Sequence, residues 1–167
     1  MEEHKNMQVN HNFLLNQYKE TGVYPINHNY LFEQFSDYKE IFEQIEKLIK
    51  NCDYTLGKSV DEFERKICEL TGSRFAVGVG SGTDALFLSL IASGIQKGDE
   101  VITTPYTFYA TIGAIVTAGA KPVFVDIRDD YNINADLIEK AITDRTKAIL
   151  PVHWSGLGCE MDKIIPI

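Results

Sequence analysis

Three apolar runs constrain this chain more than any other feature: EVITT at residues 100–104, PVFVDI at 122–127 and KAILPVH at 147–153. Each is short, bounded by turn residues, and continuous rather than alternating in its Val, Ile and Leu content. Runs of this kind belong to strands covered on both faces, as in parallel sheets. Between them the pattern turns helical. Residues 107–119 are mostly apolar, and Asn134 stands as a cap before a helix running to Ile142. Strands alternating with helices specify an α/β fold of three layers, α/β/α, around a mostly parallel sheet.

A fourth run, FAVGV at residues 75–79, reads as a buried strand leading into a turn of Gly80, Ser81 and Gly82. A helix then opens at Thr83 and Asp84, with an apolar face from Ala85, Leu86, Leu88, Leu90 and Ile91. Without Cβ atoms, Gly80 and Gly82 let the backbone approach a ligand closely, and the free N–H groups of a first helical turn point at whatever sits there. With the positive end of the helix dipole, these donors favour a phosphate. The plain alternative is that the glycines only permit tight strand–helix packing.

Upstream, residues 36–51 form an amphipathic pattern with Ile41, Phe42, Ile45, Leu48 and Ile49 on one face. A second helix is expected from Ser59, in a capping box with Glu62, to a C′ glycine at Gly72; Val60, Phe63, Ile67 and Leu70 are its buried face. These helices suggest a packing layer or a dimer contact. The expected organisation is a polar arm over 1–25 with one apolar cluster (Phe13, Leu14, Leu15), N-terminal helices over 26–72, and a main domain over 73–167. His4, His11 and His28 are scattered in polar sequence and read as solvated, so no metal site is expected.

The net charge of −8 argues against nucleic acid or an anionic membrane as partner, and no apolar run is long enough to span a bilayer. Cys52, Cys68 and Cys159, without a CxxC pair, read as reduced thiols of a cytoplasmic protein. Among phosphate ligands, a dinucleotide fits poorly. Thr83 stands where GxGxxG would place its third glycine, and the strand at 100–104 is followed by Pro105 rather than a ribose-binding carboxylate. No Gly-Lys-Ser/Thr exists for a nucleoside triphosphate loop.

Taken together and in order, FAVGVGSGTDALFLSL, GDEVITTPYTFYATIGAI, AKPVFVDI, DRTKAILPVHWSG and CEMDKI resemble the sugar-nucleotide aminotransferases of the DegT/DnrJ/StrS group. The resemblance runs from about Tyr54 to the last residue, and more loosely from Ile26. It implies the N-terminal part of the large domain of a fold-type I enzyme dependent on pyridoxal 5′-phosphate (PLP), incomplete here. It further implies that Gly82, Thr83 and Asp84 line the cup for the cofactor phosphate, Asp84 through its N–H. Phe108 matches the aromatic residue stacked on the pyridine ring, with Tyr106 or Tyr109 the alternatives if the register slips. The implied reaction transfers an amino group, from glutamate, to a nucleotide-linked keto-sugar for cell-surface polysaccharide or amino-sugar biosynthesis, in a homodimer. A dehydratase using pyridoxamine phosphate (PMP), or a non-catalytic binding remnant, are the alternatives.

The family's chemistry also needs a carboxylate paired with the pyridinium nitrogen and a lysine that forms a Schiff base. By the resemblance both lie past Ile167, so no catalytic residue is assigned and the chain alone is expected to be inactive. Lys97, Lys121, Lys147 and Lys163 read as surface lysines, and His153 as a hydrogen-bonded structural histidine. Asp126, Asp129 and Asp130 fit turn and cap chemistry. The strand at 75–79 is expected to lack a lateral partner in the chain alone, which leaves it prone to aggregate.

Overall fold

The computed structural model describes residues 31–167; the N-terminal arm, its apolar cluster and His4, His11 and His28 lie outside them. The chain divides into two units, Met1–Lys58 and Ser59–Ile167. The first contains α1 (Leu31–Gln34) and α2 (Tyr38–Lys50). An i,i+4 pair between Lys50 and Glu46 (2.6 Å) crosses the polar face of α2. The apolar face of α2 is open in the single chain: Phe42 is 64% exposed and Ile41, Ile45 and Ile49 are exposed as well.

In the second unit, α3 (Lys58–Thr71) begins one residue before the expected cap, which puts Ser59 inside the helix. Glu62 is held by Lys66 at 2.8 Å, and this bond keeps its carboxyl below the usual range. The expected capping box gives way to this i,i+4 pair. Gly72 does end the helix with φ +70°, its N–H donating to the Cys68 carbonyl at 2.9 Å. Of the apolar stripe, Phe63 and Leu70 are exposed.

Residues 75–79 depart from the expectation of a buried strand. They join no sheet, and Phe75 and Val77 are 81% and 79% exposed. The three described strands occupy every place in the sheet, in the order β2-β1-β3 (Lys121–Phe124, Glu100–Thr103, Thr146–Leu150). A strand is a pairing rather than a propensity, and no described strand pairs with this segment.

The helices α4 (Gly82–Ala92), α5 (Tyr109–Thr117), α6 (Ile138–Ala141) and α7 (Met161–Ile164) complete the unit. Both neighbours run parallel to β1, with Ile102 beside Val123 and Ile149. Successive side chains of β1 point to opposite faces. Val101 therefore packs with Leu90, Ile95, Ala114, Ile115 and Ala120 under α4 and α5, while Ile102 packs with Val125, Ile133, Ile138 and Ile164 under α6 and α7. This is the three-layer α/β/α arrangement expected of the sequence, built around β1, all four of whose residues are buried.

Glu100 closes the N-terminal edge of the sheet. Although 2% exposed, it accepts from Thr143 Oγ1 (2.7 Å) and Arg145 (2.8 Å), with the Lys121 ammonium at 3.7 Å. The Thr143 bond, aided by the Arg145 and Lys121 charges, holds its carboxyl below the ordinary 4.5 against the opposing effect of burial.

Candidate cofactor site

The opposite, C-terminal edge of the parallel strands is where open α/β sheets bind ligands. Two helix N-termini meet it. The five residues 104–108 carry the chain from the end of β1 into α5, so α5 starts at that edge. The C-terminus of α4 is joined to the start of β1 by residues 93–99, and Leu90 packs beside Val101; the other end of α4 is therefore directed the same way.

At the start of α4, Ser81 is the N-cap with an extended backbone (φ −162°, ψ 166°). Its Oγ accepts the Asp84 N–H at 3.1 Å and donates to Asp84 Oδ2 at 2.9 Å, while its carbonyl accepts from Ala85 at 3.0 Å. This reciprocal Ser-x-x-Asp cap is legible in the sequence, yet it assigns Ser81 a part that the glycine-based reading missed. Because the cap takes the Asp84 amide, the donors left over are the N–H groups of Gly82 and Thr83, which meet no acceptor among the described residues.

The glycines differ in what they are for. A Cβ at Gly80 would come within 3.0 Å of Asp84 Oδ2, whereas one at Gly82 would have nothing within 4 Å, and Gly82 is not among the glycines with positive φ. The fold itself does not require a glycine at 82. Two unpaired amides at the positive end of an 11-residue helix, with open space beside Gly82, are donors of the kind that suit a phosphate.

Phe108 is the N-cap residue of α5, 63% exposed at the same edge, its ring tilted against Tyr109 at 4.3 Å between centroids. Tyr106 turns elsewhere, to rings described below, which separates it from Phe108. His153 is exposed just past β3, and its Nδ1 accepts the Cys159 N–H at 3.0 Å. With Nδ1 an acceptor, the neutral ring carries its proton on Nε2. The Cys159 thiol donates to the Val152 carbonyl at 3.1 Å, and burial pushes it up from its ordinary value. Lys163 bonds Glu160 (3.1 Å) and Asp136 (3.2 Å), which raise it above the ordinary lysine value and keep it protonated. Lys97, Lys121 and Lys147 are exposed. Asp126 accepts from the Ile127 amide and Asp130 from the Asn132 amide, local turn bonds of the expected kind.

A parallel sheet with a capped helix start and free amides at its C-terminal edge defines an α/β protein of the open-sheet class. The profile of the DegT/DnrJ/EryC1/StrS aminotransferase family matches residues 36–167, and the chain belongs to that family. It is 40% identical over 121 residues to a UDP-2-acetamido-2-deoxy-3-oxo-D-glucuronate aminotransferase of Pseudomonas aeruginosa, covering 72% of this chain and 34% of the relative. Among solved structures it resembles a DegT/DnrJ/EryC1/StrS aminotransferase from Brucella abortus (TM-score 0.79, 34% identity, 84% of this chain and 40% of that one). It also resembles NtdA from Bacillus subtilis with bound cofactor PMP (TM-score 0.76, 35% identity, 77% and 30%). The chain thus spans about a third of the length of the relatives it matches. Among the described residues, no helix is long and apolar enough to cross a membrane.

Proposed function

We propose that this chain supplies the phosphate cradle and the ring-stacking face of a PLP site in an enzyme that transfers an amino group to a nucleotide-linked keto-sugar. The observation that carries the reading is the pair of unpaired amides at Gly82 and Thr83, placed at the ligand-binding edge of a chain belonging to an aminotransferase family. In this reading the two N–H groups and the Thr83 hydroxyl bind the phosphate oxygens. Asp84 holds the cradle open through its bonds to Ser81, its carboxylate drawn back toward the Ser81 hydroxyl. The Phe108 face orients the flat, electron-poor pyridine ring. When bound, PLP supplies an electron sink that lets an amino group pass from donor to acceptor. Glutamate as donor, a homodimer and a role in amino-sugar or polysaccharide synthesis belong to the same proposal.

Titration with pyridoxine 5′-phosphate, which lacks the aldehyde and so cannot bond to surface lysines, tests the cradle by calorimetry. Saturable binding that inorganic phosphate displaces, and that pyridoxine without its phosphate does not reproduce, is the expected result. Equal affinity for pyridoxine and its phosphate, or binding of NAD alone, refutes the reading.

A further inference from the structure

The loop that follows β3 is closed at its neck by two bonds. His153 opens it, and Nδ1 of its ring accepts the Cys159 N–H at 3.0 Å. The buried Cys159 thiol donates to the Val152 carbonyl at 3.1 Å. Beyond the neck the backbone turns tightly, Gly156 donating to the His153 carbonyl (3.1 Å) and Leu157 to that of Trp154 (2.9 Å). Ser155 sits at φ +50° and Gly156 at φ +86°. A serine in the left-handed region is held there by its surroundings, and the neck bonds are part of them.

The far side of the loop is tied to the segment after β2. Asn132, 2% exposed, accepts the Trp154 N–H at 3.0 Å and donates to the Leu157 (3.3 Å) and Gly158 (3.4 Å) carbonyls. The Trp154 ring tilts against Tyr106 at 4.5 Å, and Tyr106 stacks on Tyr131 (5.3 Å, 29°). Tyr106 precedes Phe108, the N-cap residue of α5, in the same connection, so the loop bears on the residues that start that helix. Amide and ring contacts of this kind do not titrate in the neutral range. The His153 bond does.

A backbone amide can only donate, so the neck bond needs the lone pair of Nδ1. A proton on that nitrogen replaces the lone pair with a second N–H, which then faces the Cys159 N–H donor to donor. The bond therefore exists only with a neutral ring, and histidine is the side chain whose charge changes between about pH 5 and 8. The ring is exposed, so water delivers the proton directly. The charged groups around the neck are engaged elsewhere. Glu160 pairs with Arg128 and with Lys163 (3.1 Å), which also holds Asp136 (3.2 Å). Asp130, whose charge reaches the Cys159 thiol, accepts the Asn132 amide at 3.0 Å. Among the described residues none of these carboxylates forms an ion pair with His153, so the closed loop offers an imidazolium no partner.

We propose that His153 is a proton-operated latch: the neutral ring fastens the neck of the 153–159 loop, and protonation releases the loop and draws Trp154 away from Tyr106. The latch is independent of the cofactor reading above. Trp154 is the one tryptophan of the chain, so its emission reports directly on the loop. The test titrates the chain from about pH 8 to about pH 5. It records Trp154 emission and far-UV circular dichroism, and follows the His153 ring and the Cys159 amide by nuclear magnetic resonance. The expected result is a reversible red shift of Trp154 emission as pH falls, with unchanged circular dichroism. The Cys159 amide should move with the same midpoint as the His153 ring. His153→Asn keeps a neutral oxygen acceptor close to the place of Nδ1 and takes up no proton in this range. It should hold the loop closed and abolish the transition. Flat emission in the parent chain, or a Cys159 amide that does not follow the His153 ring, overturns the proposal. So does a transition that persists in a folded His153→Asn protein, or circular dichroism lost together with the emission change, which marks unfolding instead of release. Should His153→Asn fail to fold, the shared midpoint in the parent chain decides.

Discussion

Gly82→Ala separates what the fold needs from what a ligand needs. An added Cβ meets no atom within 4 Å, and the residue does not require positive φ. In the first turn of α4, alanine should leave stability unchanged or raise it, by up to about 1 kcal/mol, the full interior difference between the two residues. In the proposed reading the same Cβ would crowd a phosphate held by the Gly82 and Thr83 amides. Forcing a phosphate away from one of these donors forfeits a hydrogen bond to a charged group, roughly 1.5–3 kcal/mol, or about 10- to 150-fold in affinity. Urea unfolding and pyridoxine 5′-phosphate calorimetry on the same preparations give the two numbers. Stability held and affinity lost is the expected pattern. Unchanged affinity would refute the argument, since the glycine would then serve no ligand; a destabilised variant would show that the fold needs it after all.

Other perturbations bear on the frame. Asn132→Ala strands the Trp154 N–H and two loop carbonyls, and should cost about 2–4 kcal/mol in urea unfolding, with red-shifted Trp154 emission as its loop comes free. Ser81→Ala removes the α4 cap and should cost about 1 kcal/mol, measured the same way. Glu100 has a folded-state carboxyl below its unfolded value of 4.5, so its contribution is present above that value and is lost as pH falls through the lower folded value. Stability measured across the acid range should accordingly fall less steeply in Glu100→Gln than in the parent chain.

The residue pattern is sufficient for the α/β class and the order of the elements. Continuous Val/Ile runs need cover on both faces, and the glycine stop at Gly72 is local chemistry that acts wherever the segment lies. Asn134 caps through the Asp136 amide as expected, but what it opens is the short 3-10 turn Ala135–Leu137, with α6 following only from Ile138. The glycine bend before α4 was legible for the same reason. The Ser59–Glu62 box was not, because Lys66 competes for Glu62 on the helix itself. Exposure of the α2 and α3 stripes was not legible either, since a period of 3.6 says that a helix has an apolar face and nothing about what covers it.

Sequence alone thus determined what has its cause within a few residues: the Val/Ile runs at 100–104, 122–127 and 147–153 that become strands, the helical segments between them, and the Ser81 cap. Tertiary structure decided whatever depends on a partner far along the chain. Residues 75–79 have strand chemistry but no described strand beside them. Glu100 looks like an ordinary strand start until Thr143 and Arg145 arrive from the far side of two crossovers. Tyr106, Tyr131 and Trp154 are unremarkable apart, and become a surface only because parallel strands deliver every following loop to one edge.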